Sequence, residues 1–273
     1  MTKVNDARYN IRVLDRAIRV LSLLSDGKPR SVQEISQEIN LSPSTTFRLL
    51  STLAYYNYVK RIEHTNQYQL GLACLELASA YQASNSLRRA ALSELEALRD
   101  EIKETVHLCV LDNMEVVYIE KLPGLHAIGI MSSRVGGRAP SYCTGVGKVL
   151  LAYQPTEVVR EYFSRHNLIP YTNQTVTDIE QLMQELEIIR QRGYAFDRGE
   201  HEQEVRCIAA PIFDISAKPV AALSISGPEA RMEPLEKNTY MIQKALQTSL
   251  SISRQLGFQP EKSRLFLDHE ERK

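Results

Sequence analysis

Apolar residues recur every three or four positions in three blocks near the start of the chain, which predicts three short amphipathic helices. The first block ends at Gly27, a typical helix terminator. The second begins at Ser31, and Glu34 has the spacing of a capping box. The third begins at Ser42 and Pro43, because serine caps a helix and proline suits its first position. The stripe of the first helix consists of Ile11, Leu14, Ile18, Leu21 and Leu24.

Two strand-like segments, "YVKRI" and "YQLG", follow the third helix and flank a polar turn, which predicts a β-hairpin. Three helices with a tight second turn and a trailing hairpin form a winged helix-turn-helix. Residues 72–103 predict two further helices, interrupted at "SNS". We expect the second of these helices to link two domains, to dimerise, or to do both. Its apolar stripe consists of Leu87, Ala91, Leu95, Leu98 and Ile102.

From residue 106 onward, strand-like runs alternate with helical patterns, which indicates an α+β domain. The predicted strands are "VHLCVLDNMEVVYIEKL", folded as a hairpin, then "AIGIMSS", "RCIAAPIFD" and "VAALSISGP". The predicted helices begin in "TGVGKVLLAY", fill "DIEQLMQELEIIRQRG" up to Gly193, and close the domain over residues 233–256. The expected divisions are therefore a winged helix-turn-helix domain over 1–71, a helical linker over 72–103, a second domain over 104–257 and a flexible tail over 258–273.

Composition favours an ordinary globular protein, with 43 % apolar and 24 % charged residues. The sequence contains no apolar run of membrane-spanning length, and "MTKVNDARYNIR" lacks the apolar core of a secretion signal. We therefore expect a cytoplasmic protein without a membrane partner. The four cysteines are widely spaced and form no CxxC pair, which argues against a zinc module or a disulfide framework.

The net charge of zero conceals an asymmetry along the chain. Residues 1–71 hold ten Lys/Arg and six Asp/Glu, a balance of +4, so the remaining residues hold 23 against 27, a balance of −4. A basic segment joined to a mildly acidic body is the division expected when one end of a protein binds nucleic acid. This basic excess is modest, and it supports nucleic-acid binding only together with the pattern of the third helix.

The third helix has two unlike sides at 100° per residue. Thr46, Leu49, Leu50 and Leu53 cluster on one side, whereas Ser44, Phe47, Arg48 and Ser51 cluster on the other. An outward phenylalanine beside an arginine and hydroxyls suits thymine methyls, base edges and phosphates in a major groove. The alternative is that this side packs on the rest of the protein. The predicted contacts with double-stranded DNA are Ser42, Pro43, Ser44, Thr45, Phe47, Arg48 and Ser51, with Lys60, Arg61 and His64 of the hairpin on backbone phosphates.

In "SYCTGVGKV", Gly145 and Gly147 lie where a loop turns into a helix. Glycines there let a ligand approach the backbone, and free amide groups with the helix dipole favour an anion such as a carboxylate. The alternative is that the glycines serve the geometry of the turn alone. Ser224 and Ser226 are two residues apart on a predicted strand and therefore face the same way.

The chain resembles the IclR family of bacterial transcription regulators from about residue 10 to 256. The resemblance is carried by "LSPSTTFRLLSTL", "YCTGVGKVLLAY", "RGYAFDRGEHEQEVRCIAAPIFD" and "LSISGP". It implies an N-terminal winged helix-turn-helix, a linker helix and a C-terminal effector-binding domain related to the GAF fold. It also implies a homodimer or a dimer of dimers on operator DNA, repressing or activating transcription in response to a small organic acid or aromatic metabolite. The implied effector contacts are Ile128, Met131, Gly145, Val146, Asp197, Cys207, Ser224 and Ser226.

Chemistry-bearing residues of the second domain suggest three alternatives, of which the main one is an enzyme that uses the second-domain pocket, with the N-terminal domain serving assembly. Cys207 with Asp197 and His201 suggests a nucleophile, but His201 lies in a polar loop that need not face the thiol. Cys143, Asp197, His201 and Cys207 would bind zinc only if the fold gathers them. Lys148 suggests a Schiff base, although a solvated lysine or a charge near the pocket is the simpler interpretation. We predict no enzyme activity, metal or cofactor.

Overall fold

The computed structural model describes residues 11–126, 131–232 and 234–260, and the chain divides into two compact units between Asn85 and Ser86. Each unit has its own apolar core. The elements of the first unit are α1 (Arg12–Leu24), α2 (Val32–Glu38), α3 (Pro43–Tyr55), β1 (Val59–Ile62), β2 (Gln67–Leu70) and α4 (Leu72–Ser84).

The helix boundaries of the first unit confirm the signals in the sequence. Ser31 and Glu34 form the complete capping box of α2. The Ser42 hydroxyl accepts a hydrogen bond from the Thr45 amide, which caps α3, and Asn57 beyond its end has φ 58°. β1 and β2 pair antiparallel as the predicted wing. Local signals therefore determine the helix-turn-helix.

The apolar stripe of α1 is only partly buried within its own unit. Of the predicted stripe, Leu24 is buried and Leu21 is partly buried, whereas Ile11, Leu14 and Ile18 are more than half exposed. Val20, which lies outside the predicted stripe, is also buried. On α4, no residue is buried in the described chain. The periodicity predicted which side of α1 is apolar, but not what covers it.

The second unit packs helices on both faces of an antiparallel sheet. In the described residues, its six strands have the order β5-β4-β3-β8-β7-β6. The strands are β3 (Thr105–Asp112), β4 (Glu115–Leu122), β5 (Arg138–Pro140), β6 (Ala195–Asp197), β7 (Val205–Phe213) and β8 (Pro219–Pro228). The helices are α5 (Ser86–Ile102), α6 (Gly145–Ala152), α7 (Thr156–Arg165), α8 (Ile179–Arg192), α9 (Glu229–Met232) and α10 (Thr239–Gln255), with a 3-10 turn at Leu235–Lys237. This arrangement confirms the α+β class.

Helices α5 and α10 share a core with one face of the sheet, and the predicted stripe of α5 supplies Ala91, Leu95, Leu98 and Ile102 to it. Helices α6, α7 and α8 pack on the other face through side chains such as Val149, Phe163 and Leu182, which share a core with Ala209 of β7. α8 begins at its Asp178 cap and ends at Gly193 with φ 80°, as predicted. None of the described helices is long and apolar enough to cross a membrane.

Several elements differ from the prediction. Of the predicted strand "AIGIMSS", residues 127–130 lie outside the described residues, and Met131–Ser133 is not a strand. The edge strand beside β4 is β5 instead. The closing helix begins at Thr239, after α9 and the 3-10 turn, and the pattern missed α7 and β6. β5 and β6 have three residues each, too few for a period-2 pattern.

Candidate functional site

The outward side of α3 is exposed within its unit. Thr46, Leu49 and Leu50 are buried, while the Phe47 side chain is 51 % exposed beside the exposed Arg48. We call Ser44, Phe47, Arg48 and Ser51 the outward face of α3. This face leaves a large aromatic ring in water, which a soluble protein tolerates singly but which also suits contact with another surface.

Most predicted DNA contacts around α3 are also accessible. Pro43, Ser44, Lys60 and His64 are exposed. Some polar groups already have partners within the chain. The Ser51 hydroxyl donates to the Phe47 carbonyl at 2.8 Å, and Arg61 donates to the Asn66 side-chain oxygen at 2.6 Å. The Ser42 hydroxyl serves as the cap of α3, so its role in the helix is separate from any role toward DNA.

Polar side chains form a continuous band across one face of the second unit's sheet. In one row, Asp197 lies opposite Cys207, which lies opposite Ser226, which lies opposite Thr105. In the adjacent row, Ser224 lies opposite His107. Strand alternation sends their apolar neighbours, among them Val106, Leu108, Leu223 and Ile225, into the core on the opposite face. The sheet therefore presents a polar patch beneath the start of α6.

A cavity lies over this patch, and we call it the sheet cavity. The structure gathers seven of the residues implied by the family resemblance around it, namely Met131, Gly145, Val146, Asp197, Cys207, Ser224 and Ser226. Ile128 lies outside the described residues. The cavity is also lined by residues outside the predicted set of effector contacts, namely His107, Tyr118, Ser133, Thr144, His201, Glu202 and Val205.

His107 is the centre of a hydrogen-bonded chain on the cavity floor. Its Nδ1 lies 3.2 Å from the Ser224 hydroxyl, and its Nε2 lies 2.9 Å from the Ser133 hydroxyl. The Ser224 and Ser226 hydroxyls lie 3.1 Å apart. Burial, reinforced by Lys121, lowers the pKa of His107 to about 3. The ring is therefore neutral and offers one donor and one acceptor.

Asp197 lies at the other side of the floor, fully enclosed by protein. Its Oδ1 accepts hydrogen bonds from the amides of Gly199 and Glu200, at 3.0 and 2.9 Å. Burial, with the nearby Glu200 carboxylate, raises the pKa of Asp197 to about 7 despite Lys148 and these amides. This carboxyl group can consequently change protonation near neutral pH.

Residues Met131–Ser133 form a wall of the cavity that is held by side chains instead of a strand ladder. The Lys121 ammonium donates to the carbonyl oxygens of Met131 and Ser133, at 3.3 and 2.5 Å. Glu202 accepts from the Ser132 amide and hydroxyl, at 3.2 and 2.5 Å. Polar side-chain contacts therefore hold this segment, which is not a strand, against the cavity.

The two glycines at the start of α6 have different roles. A Cβ on Gly147 would lie 2.2 Å from the Ser141 carbonyl oxygen, so this glycine is required by backbone packing. A Cβ on Gly145 would lie 3.3 Å from the Ala209 Cβ, a tolerable contact. Gly145 lines the cavity and Gly147 does not. The prediction that both admit a ligand is therefore wrong for Gly147.

Lys148 is fully buried, which contradicts its interpretation as a solvated residue. Its Nζ lies 2.8 Å from Glu185 and 2.5 Å from Glu200. Burial acts to lower the pKa of Lys148, but Glu200, Glu185 and Asp197 outweigh it and the pKa is raised. A protonated, doubly paired ammonium is unsuited to Schiff-base formation, which requires a free amine.

His201 and Cys207 both line the sheet cavity, although the polar loop around His201 did not predict that the two residues would face the same space. Burial raises the pKa of the Cys207 thiol well above its ordinary range, and burial lowers the pKa of His201. A thiol nucleophile needs the opposite shift. No group of three metal-ligating side chains occurs among the residues that the structure describes.

Comparison with known proteins identifies the family. Residues 79–254 match the family described as bacterial transcriptional regulator IclR C-terminal, and residues 13–63 match the IclR helix-turn-helix domain. The chain belongs to the IclR family. This IclR-family chain is a DNA-binding transcription regulator and not an enzyme, in agreement with the named functions of its relatives.

The relatives cover most of the chain. The regulator KdgR of Dickeya chrysanthemi is 35 % identical over 240 residues, which are 88 % of this chain and 78 % of that protein. The regulator XynR of Escherichia coli strain K12 is 33 % identical over 249 residues, 91 % of this chain and 98 % of that protein. The transcriptional repressor IclR of the same strain is 32 % identical over 229 residues, 83 % of each chain.

Solved structures extend the similarity to the fold of the IclR family. The Thermotoga maritima IclR structure has a TM-score of 0.72 and 34 % identity, covering 91 % of this chain and 100 % of that one. An IclR homologue from Microbacterium hydrocarbonoxydans, complexed with 4-hydroxybenzoate, has a TM-score of 0.78 and 27 % identity, covering 90 % and 99 %.

Proposed function

We propose that this regulator acts in the cytoplasm as a homodimer or dimer of dimers on a pseudo-palindromic operator, and that a small carboxylate-bearing effector in the sheet cavity alters its DNA affinity. The proposed divisions are a DNA-binding domain over 1–71, a helical linker over 72–103, an effector domain over 104–257 and a tail over 258–273. Half-sites of an operator lie about one helical turn or a multiple apart. A small change transmitted through the linker would therefore change how well two DNA-binding domains fit them.

The observation that supports the DNA-binding role most directly is the exposed Phe47 ring beside Arg48, opposite the buried Leu49 and Leu50. Phe47 would contact thymine methyls and Arg48 would contact base edges or phosphates. Lys60, Arg61 and His64 of the wing would contact backbone phosphates and position the helix. Ser42, Pro43, Ser44, Thr45 and Ser51 would complete the contacts near the start of the helix.

The effector role is supported by the polar floor of the sheet cavity. The Ser224 and Ser226 hydroxyls and the amides of Gly145 and Val146 would share the two oxygens of one carboxylate. Met131 and Ile128 would cover the apolar part of the ligand, with Asp197 and Cys207 at its other side. The 4-hydroxybenzoate in the Microbacterium homologue is a ligand of this class.

The sheet cavity has a volume of only about 40 Å³, enough for water but below the several hundred Å³ of typical ligand sites. Effector binding would therefore require the cavity to open. We propose that the wall Met131–Ser133 moves, because it is held by polar side-chain contacts from Lys121 of β4 and from Glu202, which precedes β7, instead of by backbone pairing. Exchange of such side-chain contacts is local and leaves the strand ladder intact.

Gel-shift titration of Phe47→Ala and Arg48→Ala tests the DNA-binding surface. Both should bind the operator at least tenfold more weakly, and only Arg48→Ala should also reduce the dependence of affinity on salt. Ile215→Ala is a matched control, because Ile215 is an exposed apolar residue of the second unit. Wild-type affinity in both α3 variants would refute the assignment.

The double variant Ser224→Ala with Ser226→Ala tests the effector site. It should lose the response to a carboxylate effector found by thermal-shift screening, while its DNA affinity without effector stays at the wild-type level. Retention of the full response would remove these serines from the site. A lost response together with lost DNA affinity would indicate misfolding and would refute a specific role in ligand binding.

A further inference from the structure

A second cavity of the second unit lies at the edge of the sheet, beside the part of β7 that does not pair with β6. β6 starts with Ala195 opposite Ala209, whereas β7 continues to Phe213. Helix α10 covers the remaining edge of β7. The Phe213 amide donates to the Ser253 hydroxyl at 2.9 Å, and the Ser249 hydroxyl donates to a carbonyl of β7. We call the space between this edge, α10 and the end of α8 the edge cavity.

The edge cavity is roomy and largely apolar in its walls. Its volume is about 260 Å³. The walls include the rings of Tyr153 and Phe213 and the side chains of Leu246 and Leu250. An apolar cavity of about 150 Å³ already accommodates benzene. The edge cavity therefore has space for an aromatic ring or short aliphatic chain together with a polar head group.

The polar lining of the edge cavity is positively charged. It contains Arg190 and Arg192, and none of the described residues that line it is acidic. Arg190 is already paired, with Nη1 lying 2.7 Å from Glu187. Arg192 donates through Nε to the Tyr194 carbonyl at 2.6 Å, and its guanidinium lies over the rings of Tyr194 and Phe196, 4.8 and 4.7 Å from their centres. Its Nη2 has no hydrogen-bond acceptor in the described part of the chain. The guanidinium therefore keeps hydrogen-bonding capacity that a carboxylate reaching it from the cavity would use.

Helix geometry does not account for this arrangement. A basic residue at the end of α8 is favourable because the helix dipole is negative there. That explains a positive charge at Arg190 or Arg192. The interaction with the dipole is equally available to an arginine whose terminal nitrogens lie in water. It does not explain why the Arg192 side chain lines a largely apolar cavity.

We propose that the edge cavity is a second small-molecule site, for a carboxylate with an apolar body that Arg192 holds by its guanidinium. The apolar body would contact Phe213, Leu246 and Leu250. The Tyr153 hydroxyl adds a neutral donor, because burial raises the pKa of Tyr153 to about 12.

The edge cavity is separate from the sheet cavity. Cys207 lines the sheet cavity and Phe213 lines the edge cavity, and six residues of extended strand span about 20 Å. Helix α6 has its first residues, Gly145 and Val146, at the sheet cavity, and Tyr153 directly after its last residue at the edge cavity. The two sites can therefore be tested independently in one protein.

Equilibrium dialysis of the full-length protein with benzoate provides the test. Arg192→Met should remove one saturable binding site per chain, and Arg192→Lys should retain it with weaker affinity. Benzyl alcohol, which has the same ring without the charge, should bind at least tenfold more weakly than benzoate. The double variant Ser224→Ala with Ser226→Ala should keep the Arg192-dependent site, whatever it does to binding in the sheet cavity.

A fluorescent reporter gives an independent measurement, since the chain has no tryptophan. Gln247→Trp would place a single indole on α10 next to the lining residues Leu246 and Leu250 without replacing either of them, and benzoate should change its emission saturably unless Arg192→Met is also present. Variants are compared only if their thermal unfolding remains cooperative and operator binding is retained. Benzoate binding that is unchanged by Arg192→Met, or the absence of saturable binding outside the sheet cavity in the folded wild type, would overturn the proposal.

Discussion

The outward face of α3 and the floor of the sheet cavity both bring polar groups together, but in opposite surroundings. Phe47 and Arg48 stand in water on one side of a helix whose other side is packed. His107, Ser224 and Asp197 are buried on a sheet and already bonded to one another or to backbone amides. A surface of the first kind tolerates substitution and responds to salt. A surface of the second kind is sensitive to volume and to protonation.

The largest expected effect comes from adding one methyl group beside the sheet cavity. Gly147→Ala would place Cβ 2.2 Å from the Ser141 carbonyl oxygen, so the backbone must shift. We expect the free energy of unfolding to fall by about 3 kcal/mol, measured by urea denaturation followed by circular dichroism.

Two controls sharpen this contrast. Gly145→Ala has its nearest contact at 3.3 Å, and we expect a loss below about 1.5 kcal/mol. Ser44→Thr adds the same methyl group on the outward face of α3 and should change stability by less than about 0.5 kcal/mol. Equal effects of the three substitutions would contradict the distinction between the two regions.

Protonation of Asp197 should produce the next largest effect. Its folded pKa of about 7 exceeds its ordinary value, so between the two values the folded state binds the proton and the unfolded state does not. Its contribution is fully present below the unfolded value and is lost as the pH rises through the folded pKa. Relative to Asp197→Asn, the wild type should lose roughly 2 to 3 kcal/mol of stability between pH 5 and pH 8.

Urea unfolding of both proteins at several pH values measures this difference. The asparagine oxygen can still accept the amides of Gly199 and Glu200, so the variant keeps the local hydrogen bonds. His107 acts in the opposite direction, because its depressed pKa costs stability as the pH falls below about 6.5. A stability difference between wild type and Asp197→Asn that stays constant with pH would show that Asp197 is ionised throughout this range.

The contrast also explains how much the sequence could predict. The two sides of α3 follow from periodicity within one helix, so Leu50 is buried and Phe47 exposed as predicted. The pairing of His107 with Ser224 joins residues far apart in the chain and depends on the strand order. Its available signal was a single histidine between Val106 and Leu108 on a predicted strand, which places it on the face opposite two core residues.

Residues of the sheet cavity that lie in family motifs, such as Asp197 and Ser226, could be proposed from resemblance. Ser133 and Lys121 could not, because their contacts depend on a wall segment that leaves the sheet. Likewise, the exposed Ile18 of α1 shows that periodicity predicts which side of a helix is apolar but not what packs against that side. The burial of a charged side chain was the hardest property to predict. Lys148 is buried because it pairs with Glu185 and Glu200, which are distant in the chain and give no local signal beside it.

The wing should show the behaviour of an exposed, charged surface. Lys60→Ala removes one proposed phosphate contact and should reduce operator affinity about tenfold at low salt, lowering the slope of log affinity against log salt by about one. Discrimination between operator and unrelated DNA should stay unchanged, because a phosphate contact reads no base. Filter-binding titrations at several salt concentrations, with the exposed Lys218 of the second unit replaced by alanine as control, measure the slope. A loss of discrimination would mean that Lys60 contacts bases.

The smallest expected effect separates two roles of Ser42. Its hydroxyl accepts from the Thr45 amide at 3.3 Å, so Ser42→Ala should lower stability by about 1 kcal/mol in thermal unfolding. Ser42→Asp should restore that stability, because aspartate also caps a helix and its charge suits the helix dipole. The same carboxylate would face DNA phosphates, so operator affinity should fall further in Ser42→Asp than in Ser42→Ala. If affinity instead recovers together with stability, Ser42 serves the helix alone and lies outside the DNA contact.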